Sequence, residues 1–256
     1  ARVAAQHSQD YSAWYSHIPG LKVIAPSTAA DAKGLLKAAI RGHDPVLYLE
    51  HKAMYRMAAA RAPEPDADYL LPLGKANVVR EGTDLTLVTY GMMVHKAMAA
   101  AKALEKEGAS VEVIDLRSMV PLDMETVLKS VAKTGRALVV YEDHEFLGFG
   151  SEVAAQIADK AFHTLDAPVK RLAGAFTYVP FADPLAPENM LKSSGRGIFL
   201  MRNFMDDVSL RRAPELRPQW SGASATTNSD AASSKRLQRT ASMPAEWWST
   251  ASRARV

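Results

Sequence analysis

Apolar positions fall into stretches of different rhythm along the chain. The runs LKVIAP (21–26) and PVLYLE (45–50) read as buried strands. Between them, DAKGLLKAAIRG repeats its apolar residues at helical spacing and places Leu35, Leu36, Ala39 and Ile40 on one face. Thr28 followed three residues later by Asp31 is a capping-box start for this helix, and Gly42 marks its stop. Residues 21–50 thus have the length of a right-handed parallel strand–helix–strand crossover.

Residues 53–73 lose this rhythm: APEPDAD lies at their centre, Pro63, Pro65 and Pro72 interrupt them, and they read as a linker. Four short apolar runs follow, DLTLVTYG, VEVIDLR, RALVVYED and PVKRLAG. Helical patterns separate them: Met93–Glu107 closed by Gly108, Met124–Thr134 behind Asp123, and Ser151–Leu165. Such alternation predicts a four-stranded parallel α/β domain, with near-continuous strands such as ALVVY covered by helices on both faces. From about Ser193 only GIFLMRNFM stands out, and the polar, low-complexity ASATTNSDAASSKR predicts a disordered tail that leaves Trp247 and Trp248 exposed. The boundaries that follow are 1–52, 53–73, 74–190 and 191–256, with no repeat of fixed period.

Composition narrows the chemistry. The 256 residues are 48% hydrophobic and 23% charged, which suits a globular chain with a core, and no apolar run reaches the roughly 18–20 residues of a membrane span. There are no cysteines, which excludes disulfides, thiolate metal sites and a cysteine nucleophile. The net charge of +3 is unevenly spread, with 21 basic against 23 acidic residues up to 192 and 10 against 5 beyond. The basic balance therefore belongs to the tail, and the folded part carries no sign of nucleic-acid affinity. Lysine outnumbers arginine 13 to 8 up to residue 192 and falls to 1 against 9 afterwards, so the tail is expected to derive from a shifted reading frame or a fusion.

Few residues offer chemistry. His7 lies in AAQHSQ between polar neighbours that can fix its tautomer, ahead of Tyr11, Trp14 and Tyr15, and imidazole is the side chain best matched to proton transfer near neutral pH. The residues alone admit both a catalytic and a structural reading of it. Glu142, Asp143 and His144 end a strand where open α/β sheets place ligands, but neighbours on a strand point to opposite faces and do not converge. LGFGSE (147–152) lacks the spacing of a phosphate-binding loop and reads as a helix start, and TYGMMVHKAM as a buried helix face. The Arg- and Ser-rich tail reads as a solvated extension.

The segment AAQHSQDYSAWYSHIPGLKVIAPSTAADAKGLLKAAIRGHDPVLYLEHKAMYR resembles the beta subunit of the decarboxylating, thiamine diphosphate-dependent component of 2-oxo acid dehydrogenase complexes, of the pyruvate dehydrogenase type. LPLGKANVVREGTDLTLVTYG, EVIDLRSMVPLDMETVLKSVAKTGRALVVYEDHEFLGFGSEVAAQIA and FHTLDAPVKRLAG continue the resemblance in order, over about residues 3–187. It implies part of a pyrimidine-binding domain followed by a transketolase C-terminal-type parallel α/β domain. In that family alpha and beta chains form an α2β2 heterotetramer, with thiamine diphosphate between them. The alpha chain holds magnesium and diphosphate, and the beta chain adds a glutamate from sequence upstream of the HSQ segment. The chain is therefore expected to be an N-terminally truncated beta subunit.

By the same resemblance His7 matches a histidine that protonates a lipoyl sulfur during reductive acylation, and a structural potassium site maps onto Ala39, Ile40, Gly42 and Asp44. Gly42 and Asp44 replace the family's usual Asp and Asn there; the competing reading is an ordinary helix C-terminus. The implied partners are the alpha subunit, a second beta subunit, and the lipoyl domain and core of the dihydrolipoyl acyltransferase. The implied compartment is a bacterial cytoplasm or the mitochondrial matrix. The rival expectation is a catalytically inert assembly and docking module, or a remnant of such a subunit.

Overall fold

A computed structural model describes residues 8–176 of the chain. His7 and the tail from Ser193 lie outside the described residues. A short helix α1 (Ser12–Ser16) leads into β1 (Lys22–Ile24), α2 (Ala29–Arg41) and β2 (Val46–Tyr48), with β1 and β2 parallel as the crossover requires. Thr28 Oγ1 accepts the Asp31 N–H at 3.1 Å, so the capping expected at this helix forms.

One expectation for α2 fails. Leu35 is fully buried, but Leu36 and Ile40 are 43% and 74% exposed. The four apolar residues span more of the helix circumference than β1 covers, so the outer pair remains at the surface.

Residues 52–76 run along α2 rather than away from it. Short 3-10 turns occupy Lys52–Arg56 and Ala58–Ala60, Lys33 Nζ donates to the Pro65 carbonyl at 2.7 Å, and the Leu71 N–H reaches the Gly34 carbonyl at 3.3 Å. The next elements are β3 (Asn77–Arg80), β4 (Leu85–Thr89), α3 (Met92–Glu105), β5 (Val111–Asp115), β6 (Ser118–Val120), α4 (Met124–Thr134), β7 (Ala137–His144), α5 (Gly150–Lys160) and β8 (Lys170–Gly174). The main sheet has the order β3-β5-β4-β7-β8. Its four central and right-hand strands are parallel and coincide with the four predicted runs.

Two corrections apply. The sheet has a fifth strand, β3, antiparallel to β5, and α5 stops at Lys160, with a 3-10 turn at Phe162–Thr164 in place of its last turn. β3 is a partly buried edge strand of four residues, too short to show alternation.

Alternate residues of the strands divide the core. Leu85, Leu87, Val111, Val113, Leu138 and Val140 face α3 with Met93, Ala97 and Leu104. Val88, Ile114, Val139 and Tyr141 face α4 and α5 with Val127, Val131, Val153 and Ile157. Val23 and Ala25 join this second cluster, and β6 pairs antiparallel with β1, so the first strand–helix–strand unit is stitched to the larger domain through backbone as well as side chains. The described residues lie in one compact unit.

Candidate functional site

The strands β4, β5 and β7 end on the same side of the sheet, the side on which open α/β folds gather polar groups. Three sets of side chains from these ends hold the N-terminal elements. The first surrounds Tyr90, the residue after β4. Its ring is 6% exposed and packs edge-on to Phe149, centroids 6.0 Å apart, while its hydroxyl donates to Asp10 Oδ2 at 3.1 Å and lies 2.9 Å from Ser12 Oγ. Asp10 Oδ1 accepts the Ser12 N–H at 2.8 Å. Burial, with the Asp10 charge beside it, pushes the Tyr90 phenol well above its ordinary value, so it remains a neutral donor. Burial likewise raises the Asp143 carboxyl at the end of β7, and the Asp10 charge works in the same direction.

The second set is a buried joint between β5 and α2. Ser27 Oγ donates to Asp115 Oδ2 at 2.5 Å and lies 3.5 Å from Asp31 Oδ2; Arg117 Nη2 pairs with Asp31 Oδ1 at 2.6 Å, and the Arg117 N–H reaches Asp115 Oδ1 at 3.0 Å. His95 Nε2 meets the Ser27 carbonyl at 2.7 Å, and the Ala25 N–H donates to the Arg117 carbonyl at 2.8 Å. Arg117 has φ 58°, a left-handed backbone that turns its guanidinium back over α2. Burial raises the Asp115 carboxyl to about 7, opposed by the Ser27 hydroxyl and reinforced by the Asp31 charge.

The third set pairs His51 Nε2 with Glu142 Oε2 at 3.1 Å. His51 Nδ1 accepts the Ala53 N–H at 3.2 Å, which places the ring proton on Nε2. Both nitrogens are engaged, so the ring links Glu142 to the backbone of the 52–56 turn. Burial works to raise Glu142, but the hydrogen bond from His51 and the charge of Lys96 outweigh that and hold the carboxyl below its ordinary range.

Glu142, Asp143 and His144 diverge, as their strand positions require: Glu142 turns to His51, Asp143 accepts the His144 N–H at 2.7 Å, and His144 Nδ1 meets the Ala175 carbonyl at 2.9 Å. LGFGSE is a helix start, with α5 beginning at Gly150, and a Cβ at that glycine would collide with the Tyr141 ring. The glycine there serves close packing rather than phosphate binding. In TYGMMVHKAM, Met93, Val94 and Ala97 are buried.

Ala39, Ile40, Gly42 and Asp44 lie at the C-terminus of α2. The Gly42 N–H is shared by the carbonyls of Ala38 and Ala39 at 3.1 and 3.2 Å, and Asp44 Oδ2 pairs with Lys22 Nζ at 2.7 Å, which lowers the carboxyl. Among the described residues, no three His, Asp or Glu side chains converge on a point that could hold a metal ion. No described helix is long and apolar enough to cross a membrane.

Tyr90, Asp10, Ser27, Asp115 and Arg117 were not singled out in the sequence. The available signal was the charged pair Asp115 and Arg117 interrupting an otherwise apolar strand end, VEVIDLR.

Comparison with known proteins gives a consistent result. Residues 74–195 match the family of transketolase C-terminal domains, and residues 1–58 that of transketolase pyrimidine-binding domains. The pyruvate dehydrogenase E1 component subunit beta of Rhizobium meliloti is 51% identical over 182 residues, which cover 71% of this chain and 39% of that protein. The 2-oxoisovalerate dehydrogenase subunit beta of Bacillus subtilis is 50% identical over 181 residues, 69% of this chain and 55% of that one. The mitochondrial pyruvate dehydrogenase E1 component subunit beta of Dictyostelium discoideum is 45% identical over 192 residues, 75% and 54% of the two chains. The chain thus spans about half or less of these relatives. Among solved structures, a split-gene transketolase described as an inactive beta4 tetramer superposes with a TM-score of 0.58 at 27% identity, covering 75% of this chain and 59% of that one.

Proposed function

We propose, from the fact that the chain belongs to the transketolase family through its pyrimidine-binding and C-terminal domains, that it forms part of the beta subunit of a 2-oxo acid dehydrogenase of the pyruvate dehydrogenase type. The enzyme would decarboxylate pyruvate or a related 2-oxo acid and pass the acyl group to a lipoyl group. The observation that carries this reading is identity of 50–51% to such beta subunits across most of the chain.

Bound thiamine diphosphate supplies the carbon nucleophile for decarboxylation in such an enzyme. The described residues do not fit its diphosphate and magnesium: the glycine-rich LGFGSE is closed by Tyr141, and no carboxylate cluster stands ready for a divalent ion. The reading therefore assigns both to an alpha subunit within an α2β2 assembly. His7 takes the role of proton donor. As the dithiolane S–S bond breaks, one sulfur takes the acyl group and the other leaves as a thiolate, which an imidazolium stabilises and protonates.

The test is to assemble the chain's beta subunit with its alpha subunit and to measure decarboxylation with an artificial electron acceptor beside acyl transfer to a lipoyl domain. His7→Ala should reduce acyl transfer by about 10²-fold or more, far beyond any change in decarboxylation. Equal rates of transfer by variant and parent would overturn the assignment. The 256-residue chain alone should neither turn over substrate nor bind thiamine diphosphate with a micromolar dissociation constant in calorimetry.

A second reading has its own support. The five-stranded domain packs an apolar core on each face, one of them completed by Val23 and Ala25 of the first block, as a non-catalytic assembly module would. Binding to an alpha subunit with no activity after restoration of the upstream segment would favour that module.

Potassium is proposed at the carbonyls of Ala39, Ile40 and Gly42, with Asp44 turned to it from Lys22. Carbonyls at the negative end of a helix suit a hard cation, that of Ala39 through the lone pair its bond from the Gly42 N–H leaves open. Potassium chloride should then raise the melting temperature more than the same ionic strength of choline chloride, and Asp44→Ala should abolish the difference. The reading places the enzyme in a bacterial cytoplasm or the mitochondrial matrix, with a second beta subunit and the core of a dihydrolipoyl acyltransferase as its other partners.

A further inference from the structure

We propose that Asp115, Asp31, Ser27 and Arg117 form a one-proton latch between the first strand–helix–strand unit and the main sheet: the joint takes up a single carboxyl proton on closing and releases it to solvent on opening. The latch acts whatever reaction the subunit serves.

The joint is short of one positive charge. Two carboxyl groups share one guanidinium where Asp115 is 0% and Asp31 4% exposed. Arg117 Nη2 is spent on Asp31 Oδ1 at 2.6 Å, and Thr28 Oγ1 gives Asp31 Oδ2 a second donor at 2.7 Å. Asp115 receives only the Arg117 N–H at 3.0 Å and the Ser27 hydroxyl. Thr89 stands beside it in the β4–β5 register and is fully buried, but its hydroxyl makes no hydrogen bond, and neither does the buried Nε of Arg117. From α3, His95 turns an N–H to the Ser27 carbonyl at 2.7 Å; a carbonyl only accepts, so this contact is the same in either charge state of the ring. From β2, Tyr48 is a neutral donor to the Ala32 carbonyl at 2.8 Å, its phenol pushed up by burial and by the Glu50 and Asp31 charges. Closing the joint with both carboxyls ionised would bury one negative charge without a cation, and a single proton removes it.

Ser27 lets that proton come and go. Its Oγ lies 2.5 Å from Asp115 Oδ2 and 3.5 Å from Asp31 Oδ2. When Asp115 is protonated, the acid donates to Ser27 Oγ and the Ser27 hydroxyl turns to Asp31; when Asp115 is ionised, the hydroxyl turns back to it. The latch holds backbone: the Ala25 N–H on the Arg117 carbonyl at 2.8 Å, and the antiparallel pairs of β1 with β6. Burial raises the closed Asp115 carboxyl to about 7, whereas solvent returns it to 3.8. Between these limits the closed joint keeps its proton and the open one does not, so opening becomes easier as pH rises through them and is level beyond.

The test is residue-resolved hydrogen exchange on the full chain across that interval. One proton released per opening means that protection of the Ala25 amide, corrected for intrinsic exchange, falls about tenfold per pH unit up to about 7 and then holds. At every pH it should lie at least about tenfold below the protection of the β4–β7 ladder, which exchanges only when the whole chain unfolds. The opening is sub-global and leaves the thermal melt a single transition. Asp115→Asn keeps the size and hydrogen bonds of the acid, so it should hold Ala25 at its acid-end protection throughout. His95→Gln keeps an N–H for the Ser27 carbonyl and should leave the pH step in place.

Protection that does not change with pH, or a step that survives Asp115→Asn, overturns the latch. A step lost in His95→Gln also overturns it, by giving the proton to His95. Equal protection of Ala25 and the β4–β7 ladder overturns it too, because the joint then opens only with the rest of the molecule. If Asp115→Asn does not fold, the carboxyl carbon resonance of Asp115 in the parent chain decides: a midpoint of about 7 supports the latch, and one in the ordinary carboxylate range overturns it.

Discussion

Asp115 is the residue at which burial and charge disagree most. It lies wholly inside the joint, faces the Asp31 carboxylate, the Arg117 guanidinium and the Ser27 hydroxyl, and holds its proton up to about 7. An acid raised above its ordinary value stays protonated in the folded chain while the unfolded chain ionises, so stability falls as pH rises from the carboxylate range toward about 7 and is level beyond it. The slope from this one group is at most about 1.4 kcal/mol per pH unit. Urea titrations between those limits should show the decline, and Asp115→Asn should flatten it; an unchanged slope would mean that the carboxyl ionises normally. Arg117 makes a second residue-scale prediction. Removing it leaves Asp31, 4% exposed, without its cation, a loss of about 3–5 kcal/mol. Because its φ of 58° is one that glycine adopts freely, Arg117→Gly should cost about 1 kcal/mol less than Arg117→Ala. VEVIDLR shows the charged pair but not its burial, since a charged residue at a strand end is ordinarily solvated; only the antiparallel approach of β6 to β1 encloses Asp115 and Arg117 beside Asp31.

At the scale of elements, the sequence is legible wherever period and capping agree. The four parallel strands and the helices between them follow from apolar runs bounded by Asp123, Gly108 and Gly135, and α4 matches Met124–Thr134 at both ends, with Asp123 capping the Thr126 N–H and Gly135 left-handed at φ 67°. β3 and β6 escape detection because four and three residues are too few for a period, and their pairing is decided by strands far away in sequence. The exposure of Leu36 and Ile40 escapes for the converse reason: periodicity defines an apolar face but not what lies against it. α5 also depends on a close approach that sequence hides. Tyr141 is 1% exposed and its ring occupies the space a side chain at position 150 would need. Gly150→Ala should therefore destabilise the chain by about 1–3 kcal/mol, although alanine is the better helix former, and thermal melts would register this as a lower midpoint. A rise in the midpoint would show that α5 can slide to admit the methyl group.

For the whole molecule the question is whether the two sequence blocks behave as separate bodies. The linker composition of residues 53–73 and the match to two domain families argue for independence. Three physical links argue against it. The backbone ladder β2-β1-β6 contains strands from both blocks, Val23 and Ala25 lie in the same core as Val88, Ile114 and Tyr141, and the Asp31–Arg117 pair crosses between them in a nearly dry setting. Opening that boundary would expose apolar area and leave buried charges and backbone groups unpaired at once, so partial unfolding of the first block carries a penalty that complete unfolding shares with the rest of the core. Calorimetry should accordingly record residues 8–176 melting in one cooperative transition, with van't Hoff and calorimetric enthalpies equal. Arg117→Ala should shift that transition down without dividing it, because the ladder and the shared core remain. Two resolved transitions in the parent chain would show the boundary to be weak, and a division appearing only in Arg117→Ala would show that the ionic joint, rather than the strand pairing, makes the two blocks one body.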